Sequence, residues 1–108
     1  MAISTRSTPR VQCGAKGRLE ASTGSIKGVF RDLSRGGSFF LSNKLLPVGQ
    51  TVELRIDLPG IAPVKAVGEV RYHYRYLEGE GMGIRFVRLL GDDLEHITQF
   101  VDARVGNA

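Results

Sequence analysis

From Val11 onward the chain alternates between apolar and polar positions. Val11, Cys13, Ala15, Gly17, Leu19 and Ala21 share one face of an extended segment, and Gln12, Lys16, Arg18 and Glu20 share the other. A period of two over this length predicts a half-buried strand. Ser22-Thr23-Gly24-Ser25 is a turn, composed of residues that bend the backbone readily. Residues 26–33 read as a second strand, followed by the loop Ser34-Arg35-Gly36-Gly37 and a short third strand at Phe39-Phe40-Leu41. After a break at Pro47-Val48-Gly49, the positions Val52, Leu54, Ile56 and Leu58 alternate with Thr51, Glu53, Arg55 and Asp57 until Pro59-Gly60 ends the run. Residues 64–76 form a long strand, with Val64, Ala66, Val70, Tyr72 and Tyr74 expected on its buried face. Glu78-Gly79-Glu80-Gly81 turns the chain into a last alternation at Met82, Ile84 and Phe86.

The period then changes. Leu90, Leu94, Ile97 and Val101 recur at helical spacing, with Phe100 beside them. Asp92 and Asp93 stand where negative charge favours a helix start, and Arg104 lies near the end. This predicts a helix over about residues 91–104. Short strands at roughly ten-residue intervals, closed by one helix, predict a mainly β fold: a small antiparallel barrel with a C-terminal helix. The barrel and helix span residues 11–104 and leave residues 105–108 as a tail. Residues 1–10 have neither period, and Pro9 pushes Thr8 toward extended geometry. They read as an N-terminal arm, expected to be flexible in the empty protein.

Composition narrows the class. At 108 residues one domain is expected. No apolar run approaches the ~18–20 residues of a membrane span, so no membrane insertion is expected. Met1-Ala2-Ile3-Ser4-Thr5 lacks the apolar core of a signal peptide, which points to the cytoplasm. A single cysteine, Cys13, excludes an internal disulfide and a cysteine-rich zinc site. The net charge of +4 is carried mostly by arginine. Arginine makes forked bonds to phosphates and base edges, so this balance suits an anionic nucleotide without requiring one.

Two short motifs carry candidate chemistry. Arg6 and Arg10 are four residues apart; on an extended chain they stand about 13 Å from one another, at ~3.3 Å per residue. Two guanidinium groups at that separation can grip opposite parts of one bulky anionic ligand, although two arginines in a polar terminus also suit a solvated basic tail. In Asp32-Leu33-Ser34-Arg35-Gly36-Gly37, the Asp32 carboxylate can accept the paired N–H groups of a guanine edge. Ser34 can donate or accept, and Gly37 permits a sharp turn and a close approach. The same residues also suit an ordinary β-turn.

Enzymatic readings find little support. His73 and His96 lack metal-ligand spacing and are expected to be solvated, and Cys13 shares the buried face of its strand as a small core residue. Gly79, Gly81 and Gly83 precede a strand rather than a helix, so they form no phosphate loop. Tyr72, Tyr74 and Tyr76 could form a stacking platform for RNA. Their alternation suits a strand facing the core better, so no DNA or RNA partner is expected.

The order and separation of RxxxR (Arg6, Arg10) and DxSxxG (Asp32, Ser34, Gly37) resemble the PilZ family. So do Leu46-Pro47-Val48-Gly49-Gln50-Thr51-Val52-Glu53-Leu54, Val67-Gly68-Glu69-Val70-Arg71-Tyr72 and Gly81-Met82-Gly83-Ile84-Arg85-Phe86. The resemblance implies a six-stranded antiparallel barrel with a helix at one end. It also implies a bacterial second messenger, cyclic di-GMP, as ligand, with no metal and no further cofactor. By the same resemblance Arg6 and Arg10 hold the phosphates and guanine edges, and Asp32, Ser34 and Gly37 form a guanine pocket; from the residues themselves, Gly36 widens the freedom of Gly37 and Arg35 is an extra donor at the rim. Tyr72 stands where the family often has an aromatic residue, either stacked near the ligand or packed in the core. Thr5 stands where the family often has a further basic residue, which leaves one or two ligand molecules open. The implied protein is a receptor and adaptor whose arm closes over the ligand and changes a surface read by an effector protein. The family serves motility, exopolysaccharide output, biofilm formation and virulence. The alternative is a PilZ-fold interaction module that does not bind the dinucleotide.

Overall fold

The computed structural model describes residues 9–77, 79–89 and 91–106. Six strands run β1 (Val11–Ala21), β2 (Gly24–Leu33), β3 (Gly37–Leu41), β4 (Thr51–Ile56), β5 (Val64–Tyr76) and β6 (Gly79–Leu89), and helix α1 (Asp93–Gly106) follows. All neighbours pair antiparallel, and the sheet closes in the order β1-β2-β3-β6-β5-β4. Closure removes the free edges that an open sheet of this size would present.

The alternating positions fill the barrel. Leu19, Phe30, Phe40, Leu54, Ile56, Val64, Val70 and Met82 are buried, and the Phe30 and Phe40 rings meet at 4.8 Å between centroids. The helix closes one end with Ile97, Phe100 and Val101. It starts two residues later than the pattern predicts, and Leu94 is 48% exposed rather than buried. Leu90, also assigned to that stripe, lies outside the described residues. Cys13 is half-buried, and its thiol donates to the Phe30 carbonyl at 2.9 Å, as a small core residue would.

Three irregularities position the site. Between Gln12 and Ala15 the register with β2 slips, leaving an extra residue in β1. Arg31 is the extra residue in β2, because Phe30 pairs with Phe40 and Asp32 with Phe39. Between Val70 and Tyr72 the register with β6 slips again. A bulge bends its strand and re-aims the side chains beyond it. The last of these corrects the reading of β5. Tyr72 and Tyr74 do not continue the buried face of Val64, Ala66 and Val70; they are 48% and 56% exposed. From Arg71 to Arg75 the strand is exposed on both faces, because β4 ends its pairing at Glu69 and only β6 continues alongside. His73 is exposed as expected, with Nε2 2.6 Å from the Leu46 carbonyl oxygen.

Candidate functional site

The turn from β2 to β3 is built around one hydroxyl. The Ser34 Oγ accepts from the backbone N–H of Gly36 at 3.1 Å and of Gly37 at 3.2 Å, and donates to the Gly37 carbonyl at 3.3 Å. The Ser34 N–H donates to the same carbonyl at 2.9 Å. A hydroxyl has one donor and two acceptor sites, so Ser34 is fully used inside its own loop. The Phe86 N–H donates to the Gly36 carbonyl at 2.8 Å and ties the loop to β6. Gly37 must lack a side chain, because a Cβ there would stand 2.3 Å from the Ile84 carbonyl oxygen.

Asp32 lies just before this loop and is 6% exposed. The bulge at Arg31 sets its carboxylate beneath the start of β3. Oδ1 accepts from the Phe39 N–H at 3.1 Å and from Arg10 Nη1 at 2.7 Å. Oδ2 accepts from Arg31 Nη2 at 3.0 Å and Nε at 3.3 Å. One buried carboxylate thus gathers two guanidinium groups and a backbone amide, the charge-assisted pairing that makes burial of a carboxylate tolerable. Arg31 also lies over the Phe39 ring, 4.3 Å from its centroid.

Above the loop opens a cavity of about 600 Å³, lined by residues of the arm, the loop, β5 and β6. Arg10, Ser34, Gly36, Gly37 and Tyr72 line it, as do Arg71, Gly83 and Arg85. Of the residues singled out in the sequence, the fold therefore brings five to one cavity. Asp32 is held beneath Arg10 and is not part of the lining. Arg35 is exposed outside it. Arg6 lies outside the described residues, as do residues 1–8 of the arm.

Arg71 and Arg85 were missed as site residues. They stand on neighbouring strands, each half-exposed, and share the Glu69 carboxylate at 3.5 and 3.4 Å. Both sit inside segments that carried the resemblance, but only a β5–β6 register makes them neighbours. Gly83 was also missed. A Cβ there would stand 2.1 Å from Tyr72 Cε1, so the bare backbone at 83 is the floor on which the Tyr72 ring lies. That ring also stacks on Phe39, at 6.1 Å between centroids and 29° between planes. The alternative of Tyr72 as a core residue is overturned; it is a half-exposed aromatic wall of the cavity.

Chemically, the cavity offers three arginines, one aromatic face and backbone carrying no side chains. That set suits a planar, anionic ligand, with charge met by guanidinium forks and a ring met by stacking. It offers neither a nucleophile paired with a base nor, among the described residues, a cluster of His, Cys, Asp or Glu able to hold a metal.

The PilZ domain family model matches residues 4–103, nearly the whole chain. Among solved structures, the Bacillus subtilis inhibitor of motility MotI/DgrA superposes with a TM-score of 0.85 at 18% identity, covering 97% of this chain and 53% of that one. The PilZ domain of YcgR from Escherichia coli, solved with c-di-GMP, gives 0.78 at 11% identity, over 94% of this chain and 92% of that one. The K. pneumonia MrkH–c-di-GMP complex gives 0.79 at 15% identity, over 94% and 53%. The chain thus spans about half the length of MotI/DgrA and MrkH. At these identities the likeness establishes the fold. None of the curated proteins compared matches the sequence.

Proposed function

The chain belongs to the PilZ domain family, and from that premise we propose that it is a cyclic di-GMP receptor acting as an adaptor, a binding protein rather than an enzyme. The observation that carries this reading is the cavity of about 600 Å³ that joins the arm, the β2–β3 loop and the β5–β6 hairpin. Cyclic di-GMP has two negative phosphates and two guanines. Arg10, Arg71 and Arg85 supply the complementary charge, Tyr72 supplies a stacking face, and Gly36 and Gly37 let a base approach the loop backbone. Two of the superposed structures, the YcgR PilZ domain and MrkH, are complexes with c-di-GMP, which supports the same ligand here.

The geometry of the described residues supports a role for Asp32 and Arg10, and the role of Arg6 is carried by the resemblance. Asp32 presents Arg10, whose other N–H groups remain for phosphate oxygens or guanine O6 and N7. Asp32 takes a guanine edge directly only if Arg10 yields its place on Oδ1. Arg6 and the rest of the arm close over the ligand from outside. Ordering the arm costs ~1–2 kcal/mol per residue, which the charged contacts must exceed. The closed arm changes the surface beside the cavity, and an effector that prefers one of the two shapes reads the signal.

Calorimetric titration of cyclic di-GMP into the wild type and Arg10→Ala tests this reading. A site of micromolar strength corresponds to ~−8 kcal/mol. Binding by the wild type that the substitution weakens at least about tenfold, a loss of ~1.4 kcal/mol, supports the receptor, and the stoichiometry decides between one ligand molecule and a stacked pair. No heat with the wild type would sink it and leave a PilZ-fold interaction module.

A further inference from the structure

The barrel wall away from the cavity carries a row of like charges. Lys27 on β2 pairs directly with Arg18 on β1, Arg18 with Arg55 on β4, and Arg55 with Lys65 on β5. Four cations thus stand side by side across four adjacent strands, all on the outer face, and none lines the candidate nucleotide cavity. Like charges directly opposite one another in a sheet destabilise it. Two of the four are partly neutralised, Arg18 by Glu20 on its own strand and Arg55 by Asp57 just past the end of β4 at 3.8 Å. Among the described residues, Lys27 and Lys65 take part in no ion pair. The arrangement costs the isolated fold stability and offers a ready counterpart to a line of negative charge.

The neighbouring row narrows what that counterpart is. Beside the cations, Glu20 pairs across the sheet with Glu53. A nucleic-acid backbone laid along the cations would meet these two carboxylates within about two residues' rise, ~7 Å, and be repelled. The shallow hollows on either side of Arg18 and Arg55 contain no aromatic ring for bases to stack upon. A protein helix needs no stacking ring, and beside its acidic line it can carry cations that answer Glu20 and Glu53, which a phosphate backbone cannot. Strands are ~4.8 Å apart, so the row spans about 15 Å. On a helix, residues three and four apart lie ~5–6 Å from each other on one face, and eleven residues rise ~16 Å. Carboxylates at i, i+4, i+7 and i+11 of one helix therefore match four cations on four strands. Same-face residues of an extended chain repeat at ~6.8 Å and fall out of step.

We propose that the Lys27–Arg18–Arg55–Lys65 row is a docking surface for an acidic helix of a partner protein, laid across the strands. In the receptor reading this is where the effector is held while the cavity on the other side reports the nucleotide. The docking surface itself does not rest on that reading.

The test uses the full chain, ¹⁵N-labelled, and an alanine-based helical peptide with glutamates at i, i+4, i+7 and i+11. A second peptide of the same composition spreads the glutamates around the helix. The first peptide should bind about tenfold more tightly than the second, ~1.4 kcal/mol, and shift the amide signals of Lys27, Arg18, Arg55 and Lys65. Arg18→Glu with Arg55→Glu should abolish this binding and accept the same peptide with lysines in place of glutamates. If that pair fails to fold, Arg18→Gln with Arg55→Gln should weaken binding without reversing it. Equal affinity for the two glutamate peptides, or shifts elsewhere, overturns the proposal. A single-stranded oligonucleotide or phosphatidylglycerol vesicles binding the row more tightly than the peptide overturns it as well. Titrations are run with and without cyclic di-GMP. Peptide binding by a protein that ignores the nucleotide sinks the receptor reading and leaves the docking surface standing; the opposite result does the reverse.

Discussion

The Arg10 guanidinium is held 2.7 Å from the Asp32 carboxylate, across 22 residues of sequence, and the carboxylate is buried while the guanidinium is half-exposed. The two motifs read separately in the sequence are therefore one unit before any ligand arrives. Asp32→Asn replaces an acceptor by an amide that turns a donor toward Arg31 or Arg10. The expected result is folded protein, with cyclic di-GMP affinity reduced about tenfold, ~1.4 kcal/mol. In a double-mutant cycle with Arg10→Ala the two losses should overlap by more than ~0.5 kcal/mol. Strict additivity in calorimetry would show that Asp32 does not act through Arg10.

Ser34 is expected to matter for stability as much as for affinity. Ser34→Ala removes the acceptor for two loop N–H groups at once, that of Gly37 buried and that of Gly36 partly so. Leaving buried donors unpaired costs ~1–3 kcal/mol, so chemical denaturation should reveal a loss of that size without ligand present. A variant with native stability and impaired nucleotide binding would instead make Ser34 a direct contact.

The barrel was legible because most strands obey a period of two, and the helix because Ile97, Phe100 and Val101 obey another. The places where reading failed are the bulges. The side chains of Tyr72 and Tyr74 continue a face on paper, but the slip between Val70 and Tyr72 breaks that face, and nothing local in the sequence marks it. Arg71 and Arg85 were hidden for a related reason. They are 14 positions apart, and their convergence on Glu69 depends on the β5–β6 register. Asp32 and Ser34 were singled out as candidates, but their partners, Arg10, Arg31 and the Phe39 amide for Asp32 and its own loop amides for Ser34, come from three-dimensional geometry.

Two of the three glycines lining the cavity should respond differently to the same methyl group. At Gly83 the obstacle is the Tyr72 ring, 2.1 Å away, which is half-exposed and can swing outward. At Gly37 it is the Ile84 carbonyl oxygen, 2.3 Å away, which is part of the β3–β6 ladder and cannot. Gly83→Ala should lose the Tyr72–Phe39 stacking, ~0.5–1.5 kcal/mol. Gly37→Ala should cost more, in the range of ~1–3 kcal/mol or above for overpacking. For a domain of this size 1 kcal/mol moves Tm by about 4–8 °C, so thermal melts resolve the order; the reverse order would place Tyr72 elsewhere in solution.

Cys13 should behave as a protected thiol. Burial pushes it above its ordinary value of 9.0, outweighing the lowering by the backbone around Ala15. At neutral pH, reaction with Ellman's reagent should be much slower in the folded protein than in guanidinium. The linkage has a definite sign. The folded thiol ionises later than the unfolded one, so its contribution to stability is complete below the unfolded value and is lost as pH rises through the folded one. Urea midpoints of wild type and Cys13→Ala should therefore converge above pH 9 relative to pH 7. A gap that stays constant across that window would contradict the shift.

Glu69 offers the last test, because it competes with the proposed ligand. Its carboxylate lies 3.5 Å from Arg71 and 3.4 Å from Arg85, the two cations that β5 and β6 contribute to the cavity. Both pairs are solvent-exposed, and such pairs are worth ~0.2–1 kcal/mol each. A doubly negative ligand that takes over the two arginines must displace this interaction. Glu69→Gln removes the competing charge and keeps the side-chain shape, so cyclic di-GMP affinity should rise about twofold to fivefold, a gain of under ~1 kcal/mol. The gain should shrink as salt rises from low to physiological strength, since exposed charges are screened over ~8–10 Å. Arg71→Ala and Arg85→Ala should each lower affinity and abolish most of the gain from Glu69→Gln. If Glu69→Gln weakens binding, the carboxylate is holding the arginines in their binding positions rather than competing for them, and Glu69 then stands to Arg71 and Arg85 as Asp32 stands to Arg10.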